Sequence, residues 1–191
     1  MLNRAEALEL IKAQGPEPHL IQHALASEAV LRALAARLGE DENLWAMAGL
    51  LHDIDYPLTA SNMDDHGYVG ADMLAGKAPE AVCRAIRAHN PRPGDSASEP
   101  AAPLDFALRC GETVTGLISA AALVRPTGLD GMQASSLKKK MKDKAFAASV
   151  CRETIKECDR LGLELTEFLN LAIAAMAGMN EDAGEGEPKG V

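Results

Sequence analysis

The sequence predicts an all-α protein, a helical bundle, and three observations predict it. Apolar residues recur at three- and four-residue spacing through every long segment. Gly and Pro punctuate the intervals between those segments. Aromatics make up only 3% of a chain that is 47% hydrophobic. The core is therefore left to Ala, Leu, Ile, Val and Met, which suit packed helices better than strands.

The elements follow in order. Asn3 to Ala13 is a short amphipathic helix, ended by Gly15-Pro16. From Pro18 to Leu38 an apolar stripe of Leu20, Ile21, Ala24, Leu25, Leu31, Leu34, Ala35 and Leu38 predicts a second helix, closed by Gly39. Glu42 to Asp53 reads as a third, largely buried helix, stopped by Tyr56-Pro57. Residues 57–65 read as a polar loop in which Asp64 or Asp65 caps the next helix, His66 to Ala75. Pro79 opens a helix to His89. The Pro-rich stretch 90–103 is a loop, and Leu104 to Val124 is a long helix ended by Arg125-Pro126. Gly128 to Ser135 is loop. Phe146–Leu161 and Leu165–Met176 are two further helices, separated by Gly162. Residues 1–180 are read as one domain, and 181–191, EDAGEGEPKGV, as a disordered tail.

A net charge of −9 argues against a general binder of nucleic acid or of anionic membranes. Within that acidic chain, Lys138, Lys139, Lys140, Lys142 and Lys144 form one basic run. Cys83, Cys110, Cys151 and Cys158 contain no CxxC pair, and Cys151 and Cys158 are spaced to share one buried helical face. All four are read as reduced thiols of a cytoplasmic protein. No stretch reads as a signal peptide, and no apolar run is read as long enough to cross a membrane.

Metal chemistry needs neutral imidazoles and ionised carboxylates converging on one point. His52-Asp53 ends an apolar helix, where both neighbours can turn inward. A buried Asp is rare unless it is paired or bound to metal. His23 lies on the preceding helix on the face of Val30 and Leu34, and His66, His89 and Glu112 follow in order. Glu112 falls inside the apolar helix 104–124, where an unpaired acid is costly. Alone, the His-Asp dipeptide is a weak signal that fits a core His with a capping Asp; the ordered set is more specific. His19 follows Pro18 at a helix start and reads as surface, while Trp45 and Met47 read as core filling.

The order His23-Ala24, GLLHDID at 49–55, His66-Gly67 with Gly70-Ala71, and AIRAH at 85–89 resembles the HD superfamily of metal-dependent phosphohydrolases. The resemblance covers about residues 18–120. Beyond it, Arg125-Pro126 and KKKMKDKAFAASV at 138–150 are similar to an uncharacterised bacterial HD subgroup. It implies an HD-type helical bundle, with additional C-terminal helices and a metal-binding core at about 18–124. It implies His23, His52 and Asp53 as ligands, with Glu112 in place of the family's final Asp. His66 and His89 are implied to hold a second ion, as in branches with two metals. Asp105, two turns before Glu112, is the competing final ligand. Where some branches carry a Lys three residues after the motif Asp, this chain has Tyr56.

The implied activity is hydrolysis of a phosphate ester or anhydride on a small nucleotide-like substrate, with metal-activated hydroxide as nucleophile. Asp53 is expected to bridge the ions and Asp55 to shuttle a proton. Lys139, Lys142 and Lys144 are expected to bind phosphate, although a solvated helix face is their ordinary role. One or two divalent transition ions are implied: iron or manganese first, with zinc, nickel or cobalt also suited to the donors. Two other classes stay open: a metal- or nucleotide-binding sensor module without turnover, and a di-iron oxygenase.

Overall fold

The computed structural model describes residues 1–182, and every regular element among them is helical. In chain order these are α1 (Arg4–Ala13), α2 (Pro18–Leu38), α3 (Glu42–Leu51), α4 (Tyr56–Thr59), α5 (Tyr68–Leu74), α6 (Glu80–His89), α7 (Pro103–Leu123), α8 (Ala134–Lys142), α9 (Arg152–Lys156), a 3₁₀ turn (Glu157–Leu161) and α10 (Leu165–Asp182).

Local chemistry sets most of the boundaries. Asn3 caps α1 by accepting from the Glu6 N–H at 3.0 Å, and Glu6 returns a bond to the Asn3 N–H at 2.8 Å. Pro18 opens α2, and left-handed Gly39 closes it. Asp41 caps α3 through the N–H groups of Asn43 and Leu44, at 2.9 and 3.0 Å. One continuous apolar core, from Ala7 to Met176, then joins the helices. α2 packs against α3, α7 and α10, and α7 packs against α6, α9 and the 3₁₀ turn. The C-terminal helices thus share the core of the rest. Where aromatics are few, small residues let backbones close up: a Cβ on Gly49 of α3 would lie 2.5 Å from the Ser27 carbonyl oxygen of α2.

Five segments depart from the sequence expectation. α3 ends at Leu51, and Tyr56-Pro57 opens the short α4 instead of stopping a helix, because Pro is tolerated in a first turn. α5 begins at Tyr68 behind Gly67, so neither Asp64 nor Asp65 caps it. The Lys run falls in α8 as far as Lys142, with Lys144 beyond it, while Phe146 to Cys151 is irregular. There the Arg152 guanidinium gathers the carbonyls of Phe146, Ala147 and Val150, and Ala147 takes φ 45. Those bonds hold the chain in a loop where its Ala-rich sequence favours helix. The same break leaves Cys151 exposed while Cys158 is buried, so they share no face; all four cysteines are free thiols. α10 runs on to Asp182, which places residues 181 and 182 in a helix rather than in the expected tail; residues 183–191 lie outside the described residues.

α7 is long and apolar enough to cross a membrane by length and composition, which corrects the expectation that no run is. It carries Asp105, Arg109 and Glu112, and it packs as a central helix of the bundle. Core helices meet the same length and composition criteria as spans.

The α2–α3 contact yields a paired test. Gly49→Ala forces a methyl against backbone and should cost about 1–3 kcal/mol. Gly178→Ala, a helical position with open space around it, should be neutral or stabilising by up to about 1 kcal/mol. Urea midpoints of the two variants measure the contrast; equal midpoints would mean that α2 and α3 do not approach this closely.

Candidate metal centre

Four histidines come from four different elements. His23 lies in α2, His52 follows α3, His66 sits in the turn before α5, and His89 ends α6. Each ring spends its Nδ1 on a protein acceptor. His52 donates to the Gly49 carbonyl at 2.8 Å, and His89 to the Ile86 carbonyl at 2.5 Å. His66 donates to Asp55 Oδ1 at 3.0 Å. His23 donates to Thr115 Oγ1 at 2.9 Å, because the Thr115 hydroxyl proton is already given to the Glu112 carbonyl at 2.7 Å. This network assigns the tautomers. It leaves all four Nε2 atoms as lone-pair donors, the arrangement by which outer partners fix metal-ligating imidazoles.

Those Nε2 atoms meet in pairs. His23 and His52 approach to 3.1 Å, and His66 and His89 to 3.0 Å. Asp53 lies between the pairs. Its Oδ1 is 3.4, 3.2 and 3.7 Å from the Nε2 atoms of His52, His66 and His89, and its Oδ2 is 3.7 Å from His23 Nε2. The donor atoms of His23, His52 and Asp53 lie within 4.8 Å of one another, and so do those of Asp53, His66 and His89. Two imidazole lone pairs facing each other at this range need a cation or a proton between them. The donor chemistry therefore fits one or two divalent transition ions, with Asp53 common to both triads.

Electrostatics agrees with this geometry. Burial pushes His52 down to about 3, against the opposing charge of Asp53, and burial likewise lowers His23. Burial would raise Asp53, but the imidazoles of His52, His66 and His89 hold it well below the usual carboxylate range. Burial works to lower His66, yet its bonds to Asp53 and Asp55 raise it to about 9. Burial raises Glu112 to about 8, with the charge of Asp53 adding to the effect and a hydrogen bond from Thr113 opposing it. Glu112 Oε2 lies 3.8 Å from His23 Nε2, with its side chain 19% exposed, so the final acid expected from the sequence stands on the His23 side. Its competitor is committed elsewhere. Asp105 Oδ2 caps the N–H groups of Ala101 and Ala102, and Oδ1 pairs with Arg84 at 3.2 Å.

Asp55 needs correction. Expected to shuttle a proton, it is instead fully engaged by bonds inside the protein. Its side chain is 0% exposed. Oδ2 accepts the N–H groups of Gly67 and Gly70, both at 2.8 Å, and Oδ1 accepts from His66. With both oxygens saturated inside the protein, Asp55 positions His66. The HGxxGA pattern gains a physical reason here. Gly67 has φ 82, and a Cβ on it would lie 2.6 Å from the Ile86 carbonyl and 3.2 Å from the His89 ring.

The basic run goes elsewhere. Lys138, Lys142 and Lys144 line a cleft with Arg152 and Lys156, and Lys139 lines an adjoining one with Thr166; none of the metal donors lines either. His19 is exposed beside Glu17, as expected. A cavity of about 750 Å³ between α2 and α10 also contains none of the donors. Sequence reasoning missed Thr115 and Arg109. Arg109 donates to the carbonyls of Ala88 and His89, both at 3.2 Å, and pairs with Glu157 at 2.6 and 2.7 Å. It thereby ties the end of α6 to the C-terminal helices. The only available signal was a polar residue inside an apolar helix.

In the comparison with known families, residues 20–144 match the model of the HD domain. No solved structure is significantly similar to the chain.

The raised groups predict how ion binding responds to pH. Near pH 7 the ion-free site holds protons on His66 and Glu112, and an entering cation must displace them. Affinity for Mn²⁺ should therefore rise with pH, releasing about two protons per chain near pH 7 and approaching none only well above pH 9. Calorimetry in buffers of different ionisation enthalpy measures the release. Affinity that stays flat across this range would mean these groups are not displaced.

Proposed function

The chain belongs to the HD-domain family, and from that premise we propose that it is a metal-dependent phosphohydrolase. The substrate is a phosphate ester or anhydride on a small nucleotide-like molecule. One observation carries the reading: four imidazoles, each fixed through Nδ1, aim paired Nε2 atoms at the single carboxylate of Asp53. Such a set is costly to bury unless something cationic occupies it.

In this reading His23, His52, Asp53 and Glu112 hold one ion, and Asp53, His66 and His89 hold another. When bound there, a divalent transition metal supplies Lewis acidity and a nucleophile drawn from water near neutral pH. Iron and manganese are the favoured ions. The chain's own residues do the rest. Asp53 is shared between the two imidazole pairs and keeps them in register. Asp55 and Thr115 hold His66 and His23 in the tautomer that leaves Nε2 free. Glu112 retains its proton up to about pH 8 without a cation and yields it when one lies beside His23. The Tyr56 ring, edge-on to His66 at 5.6 Å between centroids, shields one side of that imidazole.

A net charge of −9 supports a small-molecule substrate rather than duplex nucleic acid or an anionic bilayer. Four free cysteines, three of them buried, support a reducing, cytoplasmic setting.

The experiment is a screen of manganese- and iron-replete protein against phosphomonoesters, phosphodiesters and dinucleotides. Metal-dependent turnover of at least one class is expected. Glu112→Gln should lose both bound metal and at least about tenfold in kcat/KM, whereas Asp105→Asn should retain the metal. Tight metal binding with no turnover in any class would replace the hydrolase with a sensor module. Oxygen-dependent absorption changes of the iron form would replace it with an oxygenase.

A further inference from the structure

α8 gathers cations that no carboxylate among the described residues neutralises. The chain carries nine more acidic than basic side chains. Yet among the described residues no carboxylate lies within 4.0 Å of Lys138, Lys139, Lys142 or Lys144. Lys138 and Lys142 are four residues apart on one helix, and Lys139 and Lys142 three apart, so like charges face each other on one surface. The helix macrodipole accounts for cations in the last turn of α8. It does not account for Lys144, Arg152 and Lys156, which join the same cleft from outside α8. The Arg152 guanidinium is held by backbone carbonyls, and no carboxylate among the described residues offsets its charge. Among the described residues Glu153 is the one carboxylate lining the cleft, and it is taken by Lys156 at 2.7 Å.

The cleft is also shaped. It encloses about 540 Å³ and shares Lys138 and Lys142 with a second hollow of about 260 Å³. Met141 and Leu165 give its lining an apolar component, to which the aliphatic stems of the lysines add. A solvated lysine face needs no such hollow. A volume in the range of small-molecule sites, with apolar surface beside four uncompensated cations, fits a ligand having a flat apolar body and several adjacent negative charges. A cleft lined by one sign of charge also concentrates such a ligand.

We propose that the cleft between α8, α9 and the start of α10 binds a nucleoside di- or triphosphate, phosphates on Lys138, Lys142 and Lys144 and the base against Met141 and Leu165, without a metal ion. The site is distinct from the His–Asp centre, and it does not rest on the hydrolase reading: either can fail alone.

The test is calorimetric titration of the full-length protein with ATP in excess EDTA, with inorganic tripolyphosphate and adenosine as separate probes. ATP should bind saturably, at about one per chain, more tightly than tripolyphosphate because only ATP uses the apolar wall. Replacing Lys138, Lys142 and Lys144 together by Gln should weaken ATP at least about tenfold, with the helical circular dichroism and the Mn²⁺ stoichiometry unchanged. Three results would overturn the proposal. One is no saturable ATP binding in EDTA. Another is ATP affinity untouched by the lysine replacements. The third is tripolyphosphate binding as tightly as ATP, which would make the surface a general polyanion patch.

Discussion

Four imidazole lone pairs are forced to face one shared, partly buried carboxylate, and the rest of the structure serves that constraint. Each ring is turned by a bond on its far nitrogen: a helix carbonyl for His52 and His89, a hydroxyl for His23 and a buried acid for His66. His52 is pushed down to about 3 while His66, 3.2 Å from Asp53, is pushed up to about 9. One environment drives like groups in opposite directions because burial prevails at His52, while bonds to Asp53 and Asp55 prevail at His66. Such a cluster couples ion binding to the stability of the fold, since the same ion compensates donors from several helices at once.

The architecture explains how so many donors reach one place. α2 and α7 deliver His23 and Glu112 from within long helices. His52, Asp53 and His89 come from helix C-terminal ends, where the chain can turn side chains inward and an unused carbonyl is available to fix a ring. Close backbone approaches at Gly49 and Gly67 bring these ends together. Arg109 then clamps the end of α6 to Glu157, so the C-terminal helices help to hold His89.

Much of this was legible in the sequence, for identifiable reasons. Helical periodicity marked α2, α3, α6 and α7 because their buried faces are built from Leu, Ile, Val and Ala at regular spacing. The order of His23, His52-Asp53, His66 and His89 marked the donors, and the structure brings them together. Asp55 was misread because its partners, Gly67 and Gly70, lie 12 and 15 residues away, and no local pattern announces them. Thr115 was missed for the same reason: its partner His23 is 92 residues distant. Phe146 to Cys151 was read as helix on composition, but the Arg152 guanidinium captures the carbonyls that a helix would have used. The lysines were assigned to the metal site on charge alone, and charge does not say which side of a helix faces which cleft.

The central claim is that Asp53 stands between two ion positions, each completed by a pair of imidazoles. Anomalous diffraction from crystals loaded with Mn²⁺ addresses it directly. Two peaks are predicted, one against His23 and His52, the other against His66 and His89, with the Asp53 carboxylate touching both. Absence of a peak at either pair, or manganese bound with Asp53 outside its coordination sphere, would contradict the account.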